Sequence, residues 1–219
     1  MSPRPLCLTM GEPAGIGGEI ALKAWAERKR HRLPAFFLID DPARLRRVAT
    51  AALATANVPI VEIGAPEDVV GAFDRGLPVL PVGRRVDALP GRPDPVNAAA
   101  VIASIERGYA FAADGKAAAL VTNPIQKGTL YQAGFAHPGH TEFLAHLAGV
   151  AEPVMMLVIE GLRVVPVTVH APLKAALASL TSDAIVSTAR IAARALQSRF
   201  GIARPRLAVA GLNPHAGEG

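Results

Sequence analysis

The stretch LCLTMGEPAGIGGEIALKAWAERKR, residues 6–30, decides the fold class. LCLTM (6–10) is a short apolar run, the pattern of a strand covered on both faces. GEPAGIGGE (11–19) is a glycine-rich loop, and IALKAWAERKR (20–30) reads as a helix. Strand, loop and helix in that order open a βαβ unit.

The alternation continues outward. AFFLID (35–40) is a second strand, and PARLRRVATAAL (42–53) begins with Pro42, which suits the first turn of a helix. VPIVEI (58–63) and PVLPV (78–82) are two more strands, and GRRVDALPGRPDP (83–95) is a Gly- and Pro-rich loop. A strongly helical stretch covers 96–113, and AAALVTN (117–123) is a buried strand ending in a polar turn. Strands that alternate with helices predict an α/β protein with a largely parallel sheet. Further on, VMMLVIE (154–160) and LRVVPVTV (162–169) flank Gly161 as a hairpin, with Pro166 marking an edge or a bulge. A long helix over 182–200 has Ser182 as its expected N-cap and Gly201 just past its end. RLAVAGL (206–212) is expected as a final strand, and there is no internal repeat.

Hydrophobic residues make up 51% of the 219, but only 5% are aromatic, so the core must be built from Ala, Val, Leu and Ile. The formal net charge of +5 raises the question of nucleic acid. The basic residues sit mainly in 27–32, 44–47 and 83–85, and no aromatic residues interleave with them as in single-strand binders. The reading is no nucleic-acid partner, and a field that suits a small anionic substrate. A lone cysteine, Cys7, allows no internal disulfide and fits a reducing compartment. The start of the chain has no signal-peptide apolar stretch, and the most apolar region (154–169) is broken by Glu160, Gly161 and Arg163. The expectation is a soluble, cytoplasmic protein with no membrane partner.

In parallel α/β sheets, ligands bind where loops leave the carboxyl ends of strands. Four polar groups fall at such ends: the 11–18 loop, Asn123 with Lys127, His170, and Asn213 with His215. Each has two readings. GEPAGIGGE matches neither GxGxxG nor GxxxxGK[ST], so it is a tight turn or a phosphate contact of another kind, with Glu12 and Pro13 unusual for so glycine-rich a segment. Lys127 is a solvated surface lysine or a point charge for an anion. In HPGHTEFLAHL (137–147), Pro138 and Gly139 force a turn and Thr141 is a credible N-cap. His140 and Thr141 there serve capping alone, or an anion site at a helix N-terminus. His146 reads as packing or surface, since its spacing from His140 is not the i,i+4 of a shared metal. His170 and His215 are two separately hydrogen-bonded histidines, or two ligands of one divalent metal whose third ligand the sequence does not reveal.

Taken together, LTMGEPAGIG (8–17), TNPIQKG (122–128), GHTEFLA (139–145), VMML (154–157), VTVHAPL (167–173) and GLNPHAGEG (211–219) resemble the 4-hydroxythreonine-4-phosphate dehydrogenase family of pyridoxal phosphate biosynthesis. The resemblance implies a two-lobed α/β/α fold like the isocitrate and isopropylmalate dehydrogenases, incomplete at the C-terminus. It places a first lobe at 1–125, normally completed by a later segment, and a second at 126–219 with the substrate and metal motifs. It implies NAD, or NADP, bound without the Rossmann glycine fingerprint, and one divalent metal ion (Zn, Mg, Mn or Co). His170 and His215 would be two of three metal-binding histidines, the third lying in the family's later segment. His140 and Thr141 would bind substrate, in a homodimer whose active site lies at the interface. The implied reaction is oxidation of 4-phosphohydroxy-L-threonine to 2-amino-3-oxo-4-phosphooxybutanoate, which decarboxylates to 3-amino-2-oxopropyl phosphate. The alternatives are a truncated, non-catalytic module that binds phosphorylated metabolites, and a family dehydrogenase acting on another phosphorylated hydroxy acid.

Overall fold

The computed structural model describes residues 4–51, 58–169 and 171–218. The chain forms two compact units, Met1–Gly149 and Val150–Gly219.

The first unit is built on five strands: β1 (Leu6–Thr9), β2 (Phe36–Asp40), β3 (Ile60–Glu62), β4 (Leu77–Pro81) and β5 (Ala119–Val121). They lie in the order β3-β4-β2-β1-β5, and every neighbouring pair is parallel. The expected α/β class with a parallel sheet is therefore what the chain forms. The helices are α1 (Gly17–Ala26), α2 (Pro42–Ala51), the short α3 (Val69–Ala72), α4 (Ala98–Ala113), α5 (Lys127–Gln132) and α6 (His140–Ala148). All five residues of β2 are buried, so alternate side chains feed opposite layers. Phe36 and Leu38 pack with Leu22 and Trp25 of α1 and Leu45 of α2, while Phe37 and Ile39 pack with Val101 and Ile105 of α4. These two apolar layers make an α/β/α sandwich. Phe37 is fully buried, and truncating such a ring to alanine costs about 3–5 kcal/mol.

From β1 the chain moves to β2 on one side, and β5 lies on the other. The chain after β1 leads to α1 in one layer and the chain after β5 to α5 in the other, so the β1/β5 boundary is a topological switch point, where ligands of such sheets bind. The compact unit runs past the expected 125/126 boundary because Leu130 of α5 and Phe143 of α6 belong to the same buried cluster as Phe37 and Ile105. An apolar anchor of that kind holds both helices in the first unit.

The second unit contains the expected hairpin, β6 (Leu157–Ile159) with β7 (Leu162–Val164), antiparallel with Leu157 opposite Val164. Its helices are α7 (Leu173–Ser179) and α8 (Ser182–Phe200). The N-cap of α8 is Thr181 and not Ser182: the Thr181 hydroxyl accepts the Ala184 N–H at 3.2 Å, which leaves Ser182 already helical. Gly201 ends the helix at φ +67°, as expected of a residue free of a Cβ penalty. Residues 206–212 are not a strand; among the described residues they join no sheet. An extended apolar run becomes a strand only where a neighbour completes its hydrogen-bond ladder. Among the described residues, no helix is long and apolar enough to cross a membrane.

Candidate active site

The carboxyl ends of β1 and β5 are stitched together by hydrogen bonds from both sides. The Asn123 backbone N–H donates to Thr9 Oγ1 at 3.0 Å, and Asn123 Nδ2 donates to Thr9 O at 2.8 Å. The Glu12 N–H donates to Pro124 O at 2.8 Å. This closeness requires Gly11: it has φ +67°, and a Cβ there would lie 2.6 Å from Pro124 O. Asn123, expected among the ligand-facing groups, is therefore buried and structural.

Glu12 turns into this junction and is buried. Its Oε1 accepts the Ala14 N–H at 3.0 Å, and its Oε2 lies 3.3 Å from Thr129 Oγ1. The Thr129 hydroxyl also lies 2.9 Å from Gln126 O, so its single proton serves one acceptor at a time. Farther back, the Arg44 guanidinium is held by Asp40 through two bonds of 2.7 and 3.0 Å and donates to Pro13 O at 2.9 Å. Both partners are almost completely buried. The pair acts as an internal clamp on the glycine-rich loop.

The turn into α6 forms the outer wall. Gly139 is extended and occupies the N-cap position, and helix geometry starts at His140. The expected cap at Thr141 is thus corrected: Thr141 lies inside the first turn, exposed, and among the described residues no side chain caps the helix. The first-turn N–H groups keep their capacity for an acceptor. A Cβ on Gly139 would lie 3.6 Å from Lys127 Nζ and 3.4 Å from Glu142 Oε2, so one ammonium and one carboxylate flank the turn. The His140 Nε2 is buried with no hydrogen-bond partner among the described residues. Burial first, and the Lys127 charge second, hold its imidazole below the ordinary value of 6.5. The neutral ring at pH 7 therefore presents an orphaned nitrogen that a ligand can satisfy. Phe143, Phe135 and His137 pack edge to face or tilted at 5.0–5.3 Å and fix α6 behind it. His146 stacks on His137 at 4.9 Å, in keeping with a packing role.

Lys127, His140 and Thr141 are thus brought to one edge of the first unit. His215 lies in the second unit, exposed, with its N–H donating to Asn213 Oδ1 at 2.8 Å and its Nδ1 2.9 Å from Glu218 Oε2. His170, the other expected metal ligand, lies outside the described residues. No group of three or more His, Cys, Asp or Glu that could hold a metal occurs among the described residues. Sequence reasoning missed the pairing of Glu12 with Thr129 and the Arg44 clamp on Pro13. The odd glutamate in the glycine-rich loop was the one available signal; its partner lies 117 residues away.

Comparison with known proteins gives a consistent picture. A profile of the family described as "Pyridoxal phosphate biosynthetic protein PdxA" matches residues 32–219. Two curated relatives named 4-hydroxythreonine-4-phosphate dehydrogenase are similar over nearly the whole chain. The protein of Bradyrhizobium diazoefficiens is 52% identical over 98% of this chain and 65% of its own length. That of Xanthobacter autotrophicus is 48% identical over 100% of this chain and 63% of its own length. The chain thus spans less than two thirds of the curated relatives it matches. A crystal structure of 4-hydroxythreonine-4-phosphate dehydrogenase from Klebsiella pneumoniae superposes with a TM-score of 0.87 at 35% identity, covering 98% of this chain and 66% of that one. A terephthalate 1,2-cis-dihydrodiol dehydrogenase from Burkholderia xenovorans reaches 0.63 at 28% identity, covering 99% and 64%.

Proposed function

This chain belongs to the pyridoxal phosphate biosynthetic protein PdxA family, and from that premise we propose that it works in the NAD-dependent, divalent-metal-assisted oxidation of 4-phosphohydroxy-L-threonine. The reaction removes a hydride equivalent from the carbinol carbon and a proton from its oxygen, with NAD (or NADP) as acceptor. Its product, 2-amino-3-oxo-4-phosphooxybutanoate, loses carbon dioxide to give 3-amino-2-oxopropyl phosphate. The observation that carries this reading is the unpartnered His140 Nε2 at a helix start flanked by Lys127 and Glu142.

In this reading His140 and Thr141 bind the substrate. The neutral His140 ring makes one directed hydrogen bond, the uncapped first turn of α6 supplies N–H donors, and Lys127 adds a point charge. One group of each sign suits a zwitterionic amino acid phosphate, whose phosphate and ammonium need opposite partners. Glu12, buried and bonded, keeps the inner wall in place and leaves the ligand contacts to the outer turn.

His215 and His170 would hold the metal. The described member of the pair fits: Glu218 engages Nδ1, and Nε2 has no hydrogen bond among the described residues. That is the carboxylate–histidine pattern which orients a metal-binding imidazole. A zinc, magnesium, manganese or cobalt ion bound there would act as the Lewis acid that lowers the alcohol's pKa. A homodimer with the site at the interface and a cytoplasmic setting complete the proposal.

A second reading has its own support. The substrate-facing groups of the first unit need no metal, so the chain could bind a phosphorylated metabolite without turning it over. Calorimetry with 4-phosphohydroxy-L-threonine, followed by an NADH assay with zinc and NAD, separates the two. His140→Ala and Thr141→Ala are each expected to weaken binding about tenfold, a loss of about 1.4 kcal/mol. Thr141→Ala should leave stability within about 0.5 kcal/mol of the parent, because Thr141 is no cap. Binding with no NADH formed favours the module. No binding at millimolar substrate, or full affinity in both variants, overturns the assignment of these residues.

A further inference from the structure

A cavity lies on the same edge of the sheet, away from the β1/β5 switch point. It occupies about 380 Å³ at the carboxyl ends of β2 and β4, between the start of α2 and the loop after β4. In the strand order it is offset from the switch point by two strand spacings, roughly 10 Å. Its volume is within the range of small-ligand sites, about 300–1,000 Å³. Arg47, Arg84 and Arg85 line it together with Asp41.

The charge balance of these four residues is uneven. Asp41 spends both carboxylate oxygens on backbone: Oδ1 accepts from Ala43 at 2.8 Å and Arg44 at 3.3 Å, and Oδ2 accepts from Val86 at 2.9 Å. Arg47 donates one nitrogen to Val86 O at 3.1 Å, which anchors its head at the rim and leaves its other donors open. Among the described residues, Arg84 and Arg85 have neither an ion pair nor a side-chain hydrogen bond. Gly83 sits at φ +80° with open space around its missing Cβ, so the loop that carries the two arginines is not crowded against the fold. The amides at the start of α2 are already taken by Asp41, so recognition falls to the guanidinium groups. Planar guanidinium forks match phosphate oxygens in a bidentate way that lysine cannot reproduce.

We propose that this cavity is a second anion site, which takes the phosphate group of a small organic or inorganic phosphate on Arg84 and Arg85, with Arg47 at its rim. The site uses none of the residues assigned to the substrate or the metal.

Calorimetry on the purified 219-residue protein tests it with two probes, ADP and inorganic pyrophosphate. Saturable binding is expected, weakened at least tenfold in R84A/R85A and partly restored in R84K/R85K. Both arginines are exposed, so the melting temperature of the double variant should match the parent. The variant K127A/H140A should keep this binding, which separates the cavity from the β1/β5 switch point. ADP binding tenfold tighter than pyrophosphate would assign a nucleotide, and equal affinity a free phosphate or phosphorylated metabolite. No saturable binding of either probe, or binding that R84A/R85A leaves unchanged, overturns the proposal. So does binding that K127A/H140A abolishes.

Discussion

The glycine-rich loop after β1 and the turn into α6 both border the β1/β5 switch point, yet they treat their polar groups in opposite ways. In and around the loop, Glu12 and the neighbouring Asp40, Arg44 and Asn123 are buried and each meets a partner. In the turn, among the described residues, no side chain caps the helix and His140 Nε2 is buried without a bond. A satisfied buried network fixes geometry, and an unsatisfied one keeps binding capacity in reserve. The inner wall is therefore expected to answer mutation with lost stability, and the outer wall with lost binding.

The largest effect should come from Arg44→Met. It leaves the Asp40 carboxylate buried without its counter-charge and frees Pro13 O, at a cost of about 3–5 kcal/mol by urea denaturation. The double variant D40N/R44M should regain part of that loss. If Arg44→Met unfolds at the parent's midpoint, the inner wall is not held by this clamp and the contrast with the outer wall fails. Gly11→Ala is next. It forces a Cβ into the left-handed region and against Pro124 O, with a loss of roughly 1–3 kcal/mol in the same measurement. An unchanged midpoint would show that the two strand ends can part without penalty.

The smallest effect sharpens the outer wall. Burial and Lys127 hold His140 below its ordinary 6.5. The unfolded chain then takes up the proton first, so the stability linked to His140 is complete above 6.5 and is lost as pH falls through the folded value. Lys127→Ala should move the folded value upward and narrow that window. Titration of the His140 ring by NMR reads this directly. A ring that titrates at 6.5 in the parent, or does not move in the variant, would remove the link between the two side chains.

Much of this was visible in the residues alone, and unevenly so. The strands at 6–10 and 35–40 announce themselves because a central strand of a parallel sheet is apolar on both faces, whereas the run at 117–123, expected to be buried, forms the edge strand β5 and is largely exposed. Their alternation with helices leaves few other architectures. The expected strand at 206–212 has the same composition but joins no sheet among the described residues. The sequence of a strand does not contain the neighbour that makes it one. The caps erred by one or two residues for a related reason. Ser182 and Thr141 are good capping residues, but where the backbone turns helical is decided at Thr181 and Gly139.

The candidate site divides along the same line. Gly11, Lys127, His140, Thr141 and His215 could be singled out because their residue types carry chemistry at strand ends and helix starts, which are properties of local sequence. That Asn123 is structural, that Glu12 faces Thr129 and that Arg44 clamps Pro13 could not be read locally. Those pairings join residues 31 to 117 positions apart. The sequence by itself determined the α/β class and the candidate residues, because hydrophobic periodicity and turn chemistry act over a few residues. Only the tertiary structure decided which polar groups are consumed by the fold and which remain open, because hydrogen bonding and burial are settled between segments distant in the chain.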